Sequence, residues 1–299
     1  MCNTKTAVKP FLKWVGGKTQ LINSIKEYYP FDDKITKYAE PFVGGGAVLF
    51  DVLNNYELAS IFISDTNAEL INTYKVIKEH PEELISQLFY HELLYHGFDF
   101  TRQQSYYLEM RTRFNNLELG KSIKEDIEKA ALMIFLNKTC FNGLYRVNKK
   151  GKFNVSMGCC ASPTICDEYN ILAVSDKLQN VEIVFGSYDS SLDFIDEHTF
   201  AYFDPPYRPL TKTANFLSYG VERFDDTKQI ELAQYANILN DKGAKLLISN
   251  SDPKNIDPDD NFFDDLYFSY RIERVDARRS INSDGEKRGK VSELLISNF

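Results

Sequence analysis

No apolar run of roughly 18 residues, the length that crosses a bilayer, occurs anywhere in the 299-residue chain. The opening stretch MCNTKTAVKP has no apolar h-region, so no export signal is expected. Cysteine is scarce: Cys2, Cys140, Cys159, Cys160 and Cys166 are odd in number and lack zinc-finger spacing. With no export signal, they read as reduced thiols of a cytoplasmic protein, and no metal site is expected. Tryptophan occurs once, at Trp14. Internal repeats and low-complexity linkers are absent. Positive charge is also short, since the formal net charge is −8. Taken as an average, that argues against a nucleic-acid partner.

The average hides a pattern. Residues 138–152, KTCFNGLYRVNKKGK, carry five positive charges and no acid, and ARRSINSDGEKRGK (277–290) carries five positive and two negative. SDPKNIDPDDNFFDD (251–265) holds six acids and one lysine. A basic face on an acidic body suits a phosphate backbone, and solvated loops without a partner suit the same charges. The rest of the composition, 43% hydrophobic and 26% charged, is that of an ordinary globular enzyme.

The first third alternates helix and strand signals. A helix is predicted over Lys18–Tyr29, a strand at KYAEPF, a glycine-opened helix at GGGAVLFDVLN and a strand at ASIFISD. TNAELINTYKVIKEH then reads as a helix capped by Thr66 or Asn67. This βαβ pattern implies a parallel sheet. The middle third has three helical candidates in succession, PEELISQLFYHELLYH, SYYLEMRTRFNN and SIKEDIEKAALMIFLNK. They are followed by LYRVNKKGKFNVSM, which reads as a β-hairpin about a Lys-Lys-Gly turn. Residues 70–180 are therefore expected to form an inserted, mainly helical subdomain carrying a basic hairpin. The last third returns to α/β, with strands at VEIVFG, TFAYFD and GAKLLISN and a helix at DDTKQIELAQYANILND. DLYFSYRIERV and KVSELLISNF are expected to close the sheet as an antiparallel pair.

Three constellations carry chemistry. EPFVGGG (Glu40–Gly46) sits at a strand-to-helix turn, where glycines admit a ligand close to the backbone and the helix beyond offers free N–H groups. Asp65 ends the next strand, at a place from which an acid can take both hydroxyls of a ribose. A tight turn with a capping Asp gives the same pattern. The glycines lack the third position of G-x-G-x-x-G, which counts against a pyrophosphate-bearing dinucleotide and leaves room for a phosphate-free cofactor such as S-adenosylmethionine. In FLKWVGGK, Lys18 and Trp14 can flank a zwitterion, the lysine against a carboxylate and the indole against a sulfonium; taken alone, the stretch reads more simply as a packed Trp and a surface Lys.

The third constellation is FAYFDPPYRPL. Asp204 follows a strand and so lies at its carboxyl end, where open α/β sheets bind ligands. Pro205 and Pro206 fix the backbone and leave carbonyl acceptors, and Tyr207 offers a flat face. Carboxylate, carbonyl and ring together fit an exocyclic amino group on a planar base, held so that its nitrogen lone pair can attack a methyl sulfonium.

FLKWVGGK, EPFVGGG, SDTNAELI, FNGLYRVNKKGKFNV, YFDPPYRPL…TANF…SY, LLISN and RRSINS, in this order, resemble the Dam-like group of DNA adenine-N6 methyltransferases from about Phe11 onward. The resemblance implies an α/β fold: a Rossmann-like methyltransferase sheet with an inserted, mainly helical target-recognition subdomain bearing a β-hairpin. Residues 1–69 and 181–299 would form the S-adenosylmethionine-binding catalytic domain and 70–180 the DNA target-recognition subdomain. It implies Asp204, Pro205, Pro206 and Tyr207 as the catalytic motif. Trp14, Lys18, Phe42, Gly44, Gly46, Asp65 and Asp204 would contact S-adenosylmethionine. Lys13, Asn142, Leu144 and Arg146 would contact DNA, with Phe141 wedging beside a flipped base. Lys149 and Lys150, in the hairpin turn, suit phosphate contacts. Arg146 can fork onto guanine O6/N7 and Leu144 can touch a thymine methyl, so GATC or a related GAT-containing site is the expected target.

The resemblance further implies a monomer in the cytoplasm of a bacterial, phage or viral host cell, acting on double-stranded DNA. A cognate restriction endonuclease would act on the same site in a restriction-modification setting. Two departures stand out. Where the group has Pro, aromatic, Gly, Arg, Tyr after FNV, this chain has Ser156, Met157, Gly158, Cys159 and Cys160, so the arginine and tyrosine expected at the DNA surface for the far half of GATC are absent. Ser187 stands where some relatives carry an acid for the cofactor's adenine. An RNA or cytosine-N4 amino-methyltransferase on the same fold is the main alternative; a nucleotide-cofactor oxidoreductase lacks its full glycine fingerprint, and a silent DNA-binding module would not need an intact DPPY.

Overall fold

The computed structural model of the protein describes residues 7–160, 162–208, 224–278 and 290–299. Pro209, Leu210, TANF, SY and all but the first residue of RRSINS lie outside them. The main elements in chain order are α1 (Ile22–Lys26), β1 (Lys37–Glu40), α2 (Ala47–Asn55), β2 (Ser60–Asp65), α3 (Ala68–Glu79), α4 (Pro81–Gly97), α5 (Phe100–Asn116), α6 (Ile123–Thr139), α7 (Glu168–Leu178) and β3 (Val181–Phe185). They continue with β4 (Thr199–Phe203), α8 (Asp226–Asp241), β5 (Lys245–Ser251), α9 (Phe262–Leu266), β6 (Arg271–Arg278) and β7 (Lys290–Ser297). The chain packs as two compact units. The first comprises Met1–Gly17, Gly44–Tyr56 and Asp65–Phe185; the second comprises Lys18–Val43, Glu57–Ser64 and Gly186–Phe299. Residues 70–180 lie within the first.

The second unit is built on a sheet whose strands run β2-β1-β4-β5-β7-β6. β2, β1, β4 and β5 are mutually parallel, and β7 runs antiparallel to both β5 and β6. Every residue of β4 is buried, as a central parallel strand covered on both faces requires, and this is why TFAYF has no polar alternation. α8 packs against β5, and the Asp225 side chain caps it by accepting from the Lys228 N–H. The register pairs Phe203 with Ile248, so the next residues, Asp204 and Ser249, emerge side by side at the carboxyl ends of their strands.

The first unit is a helical assembly around α6, whose stretch Ala130–Leu136 is buried on all sides. α3, α4 and α5 pack on it. Ser122 caps α6 from the Glu125 N–H, Asn67 caps α3 from Leu70, and Asp99 caps α5 from Arg102. Buried Lys129 is satisfied by the Leu117 carbonyl at 2.9 Å and by Glu69 at 3.3 Å. Among the described residues no helix is long and apolar enough to cross a membrane.

Three local expectations change. The helix expected over Lys18–Tyr29 is a single 3-10 turn, Lys18–Gln20, followed by short α1; Pro30 biases Tyr29 away from the helical region. DLYFSY is the end of α9 and a turn, not strand, and β6 begins at Arg271. The basic hairpin reverses about Asn148–Gly151 with one antiparallel bridge, Val147 to Phe153, in place of a long ladder. Its return leg is pinned to α5 by side chains. Asn115 brackets Phe153 at 2.8 and 3.0 Å, and Tyr107 and Arg111 both donate to the Val155 carbonyl, at 2.9 and 3.1 Å.

Candidate active site

In the second unit, Asp204 stands one residue beyond β4. Lys18 Nζ lies 2.7 Å from each carboxylate oxygen. The Ser249 hydroxyl donates to Oδ1 at 2.9 Å. The Tyr202 hydroxyl is 3.0 Å from the Ser249 oxygen. Since Ser249 spends its one hydrogen on Asp204, Tyr202 must donate to Ser249, and complete burial holds Tyr202 protonated, its pKa well above the usual range. A carboxylate offers roughly four lone-pair positions. Among the described residues Lys18 and Ser249 occupy three of them and leave one acceptor position, on Oδ2. Pro205 is buried and Pro206 exposed. The Pro206 carbonyl accepts from Gln229 at 3.2 Å, and Gln229 is held in turn by Asn250 at 3.1 Å.

Tyr207 is fixed from two sides. Its hydroxyl donates to Glu293 Oε2 at 2.5 Å, and Lys18 Nζ lies 4.7 Å from its ring centroid. Burial, then the negative charges of Asp204 and Glu293, push the Tyr207 hydroxyl far above its ordinary range, so it is a donor at any working pH. Arg208 closes the motif. It bonds Asp226 at 2.7 Å and Asp260 at 2.6 Å, with its guanidinium 4.2 Å over the Phe262 ring. Phe42 packs against Tyr188, Phe203 and Phe224, at centroid distances of 5.6, 6.5 and 5.8 Å.

In the first unit, Asp65 Oδ2 accepts from the Gly44 N–H at 3.0 Å and Oδ1 from the Asn67 N–H at 2.9 Å. The surrounding protein desolvates the carboxyl and raises its pKa, partly offset by these backbone donors. Gly44 and Gly46 have positive φ, 49° and 71°. At Gly46 a Cβ would stand 2.5 Å from the Tyr74 hydroxyl and 2.9 Å from the Phe50 ring, so only glycine fits ahead of α2. Trp14 lies over this turn, 3.0 Å from where a Gly44 Cβ would be, and stacks on Tyr145 with centroids 5.5 Å apart.

The expected DNA-contacting residues gather on the same unit. Buried Asn137 accepts from the Lys13 N–H at 2.9 Å and donates to the carbonyls of Lys13 and Gly143, at 2.8 and 2.9 Å. That clamp sets exposed Lys13 beside the loop Phe141–Leu144. Phe141 is 53% exposed, a large apolar ring offered to solvent. Asn142 and Gly143 are both left-handed, with φ 55° and 65°. Arg146 is exposed, held through Nε to Asn154 at 2.9 Å, and Nη1 makes no bond among the described residues. Lys149 and Lys150 are exposed at the turn, where Asn148 accepts from the Lys150 and Lys152 N–H groups at 2.9 and 3.1 Å. Cys159 and Cys160 are exposed beyond Ser156–Gly158, which pairs with the end of α6.

Sequence reasoning did not single out Ser249, Tyr202, Glu293, Tyr145 or Asn137. Ser249 and Asn250 carried a signal: polar residues at the carboxyl end of an apolar strand. Glu293 becomes visible only through strand register, which sets it opposite Ser251.

Residues 14–281 match the family of D12 class N6 adenine-specific DNA methyltransferases. The chain belongs to that family, and it is a Dam-like DNA adenine-N6 methyltransferase. Among its relatives, the Type II methyltransferase M.MjaIII of Methanocaldococcus jannaschii is 45% identical over 98% of this chain and 99% of that one. The Type II methyltransferase M1.LlaDCHI of Lactococcus lactis subsp. cremoris is 33% identical over 99% and 97%. The DNA adenine methylase of Escherichia coli K12 is 32% identical over 96% and 94%. Membership implies S-adenosylmethionine as methyl donor and double-stranded DNA as substrate.

Proposed function

We propose that the chain methylates adenine N6 within GATC or a related GAT-containing site. The observation that carries the chemistry is the setting of Asp204: a carboxylate held by Lys18 and Ser249, with one acceptor position left on Oδ2 among the described residues, next to an anchored Tyr207. The residues of the first unit fit a nucleoside donor without phosphates. Asp65 is a desolvated carboxylate with no cation paired to it among the described residues, and the turn before α2 excludes any Cβ. Asp65 takes the ribose hydroxyls, and Trp14, Gly44 and Gly46 line the donor. In the second unit Lys18, Phe42 and Asp204 are assigned to the donor from the resemblance.

When bound, S-adenosylmethionine supplies an electrophilic methyl on a sulfonium. The residues of this chain then have distinct work. A flipped adenine, extruded at a cost of a few kcal/mol, stacks on Tyr207. Asp204 Oδ2 and the Pro205 carbonyl accept the two amine hydrogens and aim the nitrogen lone pair. Lys18 pairs with Asp204 and orients it, so the carboxylate contributes position and charge rather than prior removal of a proton. On the recognition side Arg146 and Leu144 read bases, Phe141 and Asn142 fill the space left by the flipped base, and Lys13, Lys149 and Lys150 meet phosphates, with residues 70–180 as the target-recognition subdomain.

The reading includes a monomer working in the cytoplasm of a bacterial, phage or viral host cell. A cognate restriction endonuclease for the same site is in keeping with relatives named as Type II methyltransferases. Methylation mapping on a random-sequence plasmid tests the target. N6-methyladenine within GATC or another GAT-containing site is expected. Methyl groups on cytosine N4, or adenine sites without GAT, would overturn the chemistry or the base-reading roles respectively.

A further inference from the structure

Tyr145 stands between Leu144 and Arg146, the two proposed base readers, and is half-buried where Arg146 is exposed and held to Asn154. Its ring stacks on Trp14, 5.5 Å between centroids at 24°, and tilts against Phe153 at 5.8 Å. Its hydroxyl faces Asn67 and Glu69 at the start of α3. The Asn67 N–H donates to Asp65, and Asp65 accepts from Gly44, on which Trp14 lies. The contacts close a ring: Asp65, Gly44, Trp14, Tyr145, Asn67 and back to Asp65. Burial keeps the Tyr145 hydroxyl protonated, so this polar end persists across the working pH range.

We propose that Tyr145 is a positioning residue that couples occupation of the donor site at Asp65 to the reading of DNA by Leu144 and Arg146. This rests on the proposed function. A ribose at Asp65 tightens the Gly44 turn, the turn fixes Trp14, and Trp14 fixes the ring that sets the hairpin leg. By linkage the effect is reciprocal: cognate DNA tightens the donor site by the same factor. The stacked ring carries the coupling, so Tyr145→Phe retains it, whereas Tyr145→Leu fills the volume without a stacking face.

The test measures the affinity of a short duplex carrying the mapped site, with and without S-adenosylhomocysteine, for the wild type, Tyr145→Phe and Tyr145→Leu. Thermal melts and separate cofactor titrations establish that each variant is folded and loaded. The wild type is expected to bind DNA at least about fivefold tighter with the cofactor product present. Tyr145→Phe should keep that factor, and Tyr145→Leu should bring it close to one while binding each ligand alone within a few-fold of wild type. Equal factors in the wild type and a folded Tyr145→Leu, or no coupling in the wild type, overturn the inference. If Tyr145→Leu does not fold, loss of the factor in Tyr145→Phe overturns it too. Wild-type protein that binds no cofactor would instead overturn the proposed function beneath it.

Discussion

Replacing Glu293 by alanine removes the acceptor that lies 2.5 Å from the Tyr207 hydroxyl. A hydrogen bond to a charged group contributes about 1.5–3 kcal/mol. Tyr207 keeps its van der Waals neighbours and the Lys18 ammonium 4.7 Å from its ring centroid, but the ring loses its rotational anchor and a desolvated hydroxyl is left unpaired. If the ring is the platform for the target base, that loss falls on the productive complex, and at about 1.4 kcal/mol per tenfold kcat/KM should drop by about 10- to 100-fold. Steady-state transfer of labelled methyl to duplex DNA reads the change. Glu293→Gln keeps an acceptor oxygen and should fall by less than about tenfold. Cofactor affinity, followed by equilibrium dialysis, should stay near wild type in both. Turnover by Glu293→Ala within threefold or so of wild type would refute the anchoring role.

Gly46→Ala should destabilise the protein by about 2–5 kcal/mol, because a side chain at φ 71° is strained and its Cβ would collide with Tyr74 and Phe50; urea unfolding that shows under about 1 kcal/mol contradicts this. Asp65→Ala leaves ribose hydroxyls unpaired and should weaken cofactor binding by at least about tenfold with little effect on cofactor-free DNA binding, which dialysis with labelled cofactor decides. Arg146→Ala should relax discrimination at one base pair by about 1–3 kcal/mol. Lys150→Ala should weaken all sequences alike and flatten the salt dependence; competition binding with single-base variants across a salt series separates the two.

Much of the site was legible because its parts are local. TFAYF followed by DPPY announces a buried strand with an acid, two prolines and a tyrosine at its end, and the alternation of helix and strand signals around EPFVGGG and SDTN locates the turn and the acid that face each other across 21 residues. What was not legible depends on pairing between distant segments. Ser249 and Glu293 are single polar residues within apolar strands, and only register brings them to Asp204 and Tyr207. The hairpin reads as two strands because its residues alternate, but its return leg satisfies its backbone through Asn115, Tyr107 and Arg111 on α5, a competition that local pattern does not reveal. Tyr145 reads as one more aromatic of that leg until its ring is seen stacked on Trp14.

The central claim is that Asp204 holds an adenine amine for methyl transfer. The most direct measurement compares wild type and Asp204→Ala for transfer of labelled methyl from S-adenosylmethionine to adenine N6 in duplex DNA, with DNA affinity measured on the same preparations. The wild type should label adenine N6. Asp204→Ala should lose transfer while keeping most of its DNA affinity, since that affinity comes mainly from phosphate contacts. Transfer by Asp204→Ala at near the wild-type rate would contradict the account.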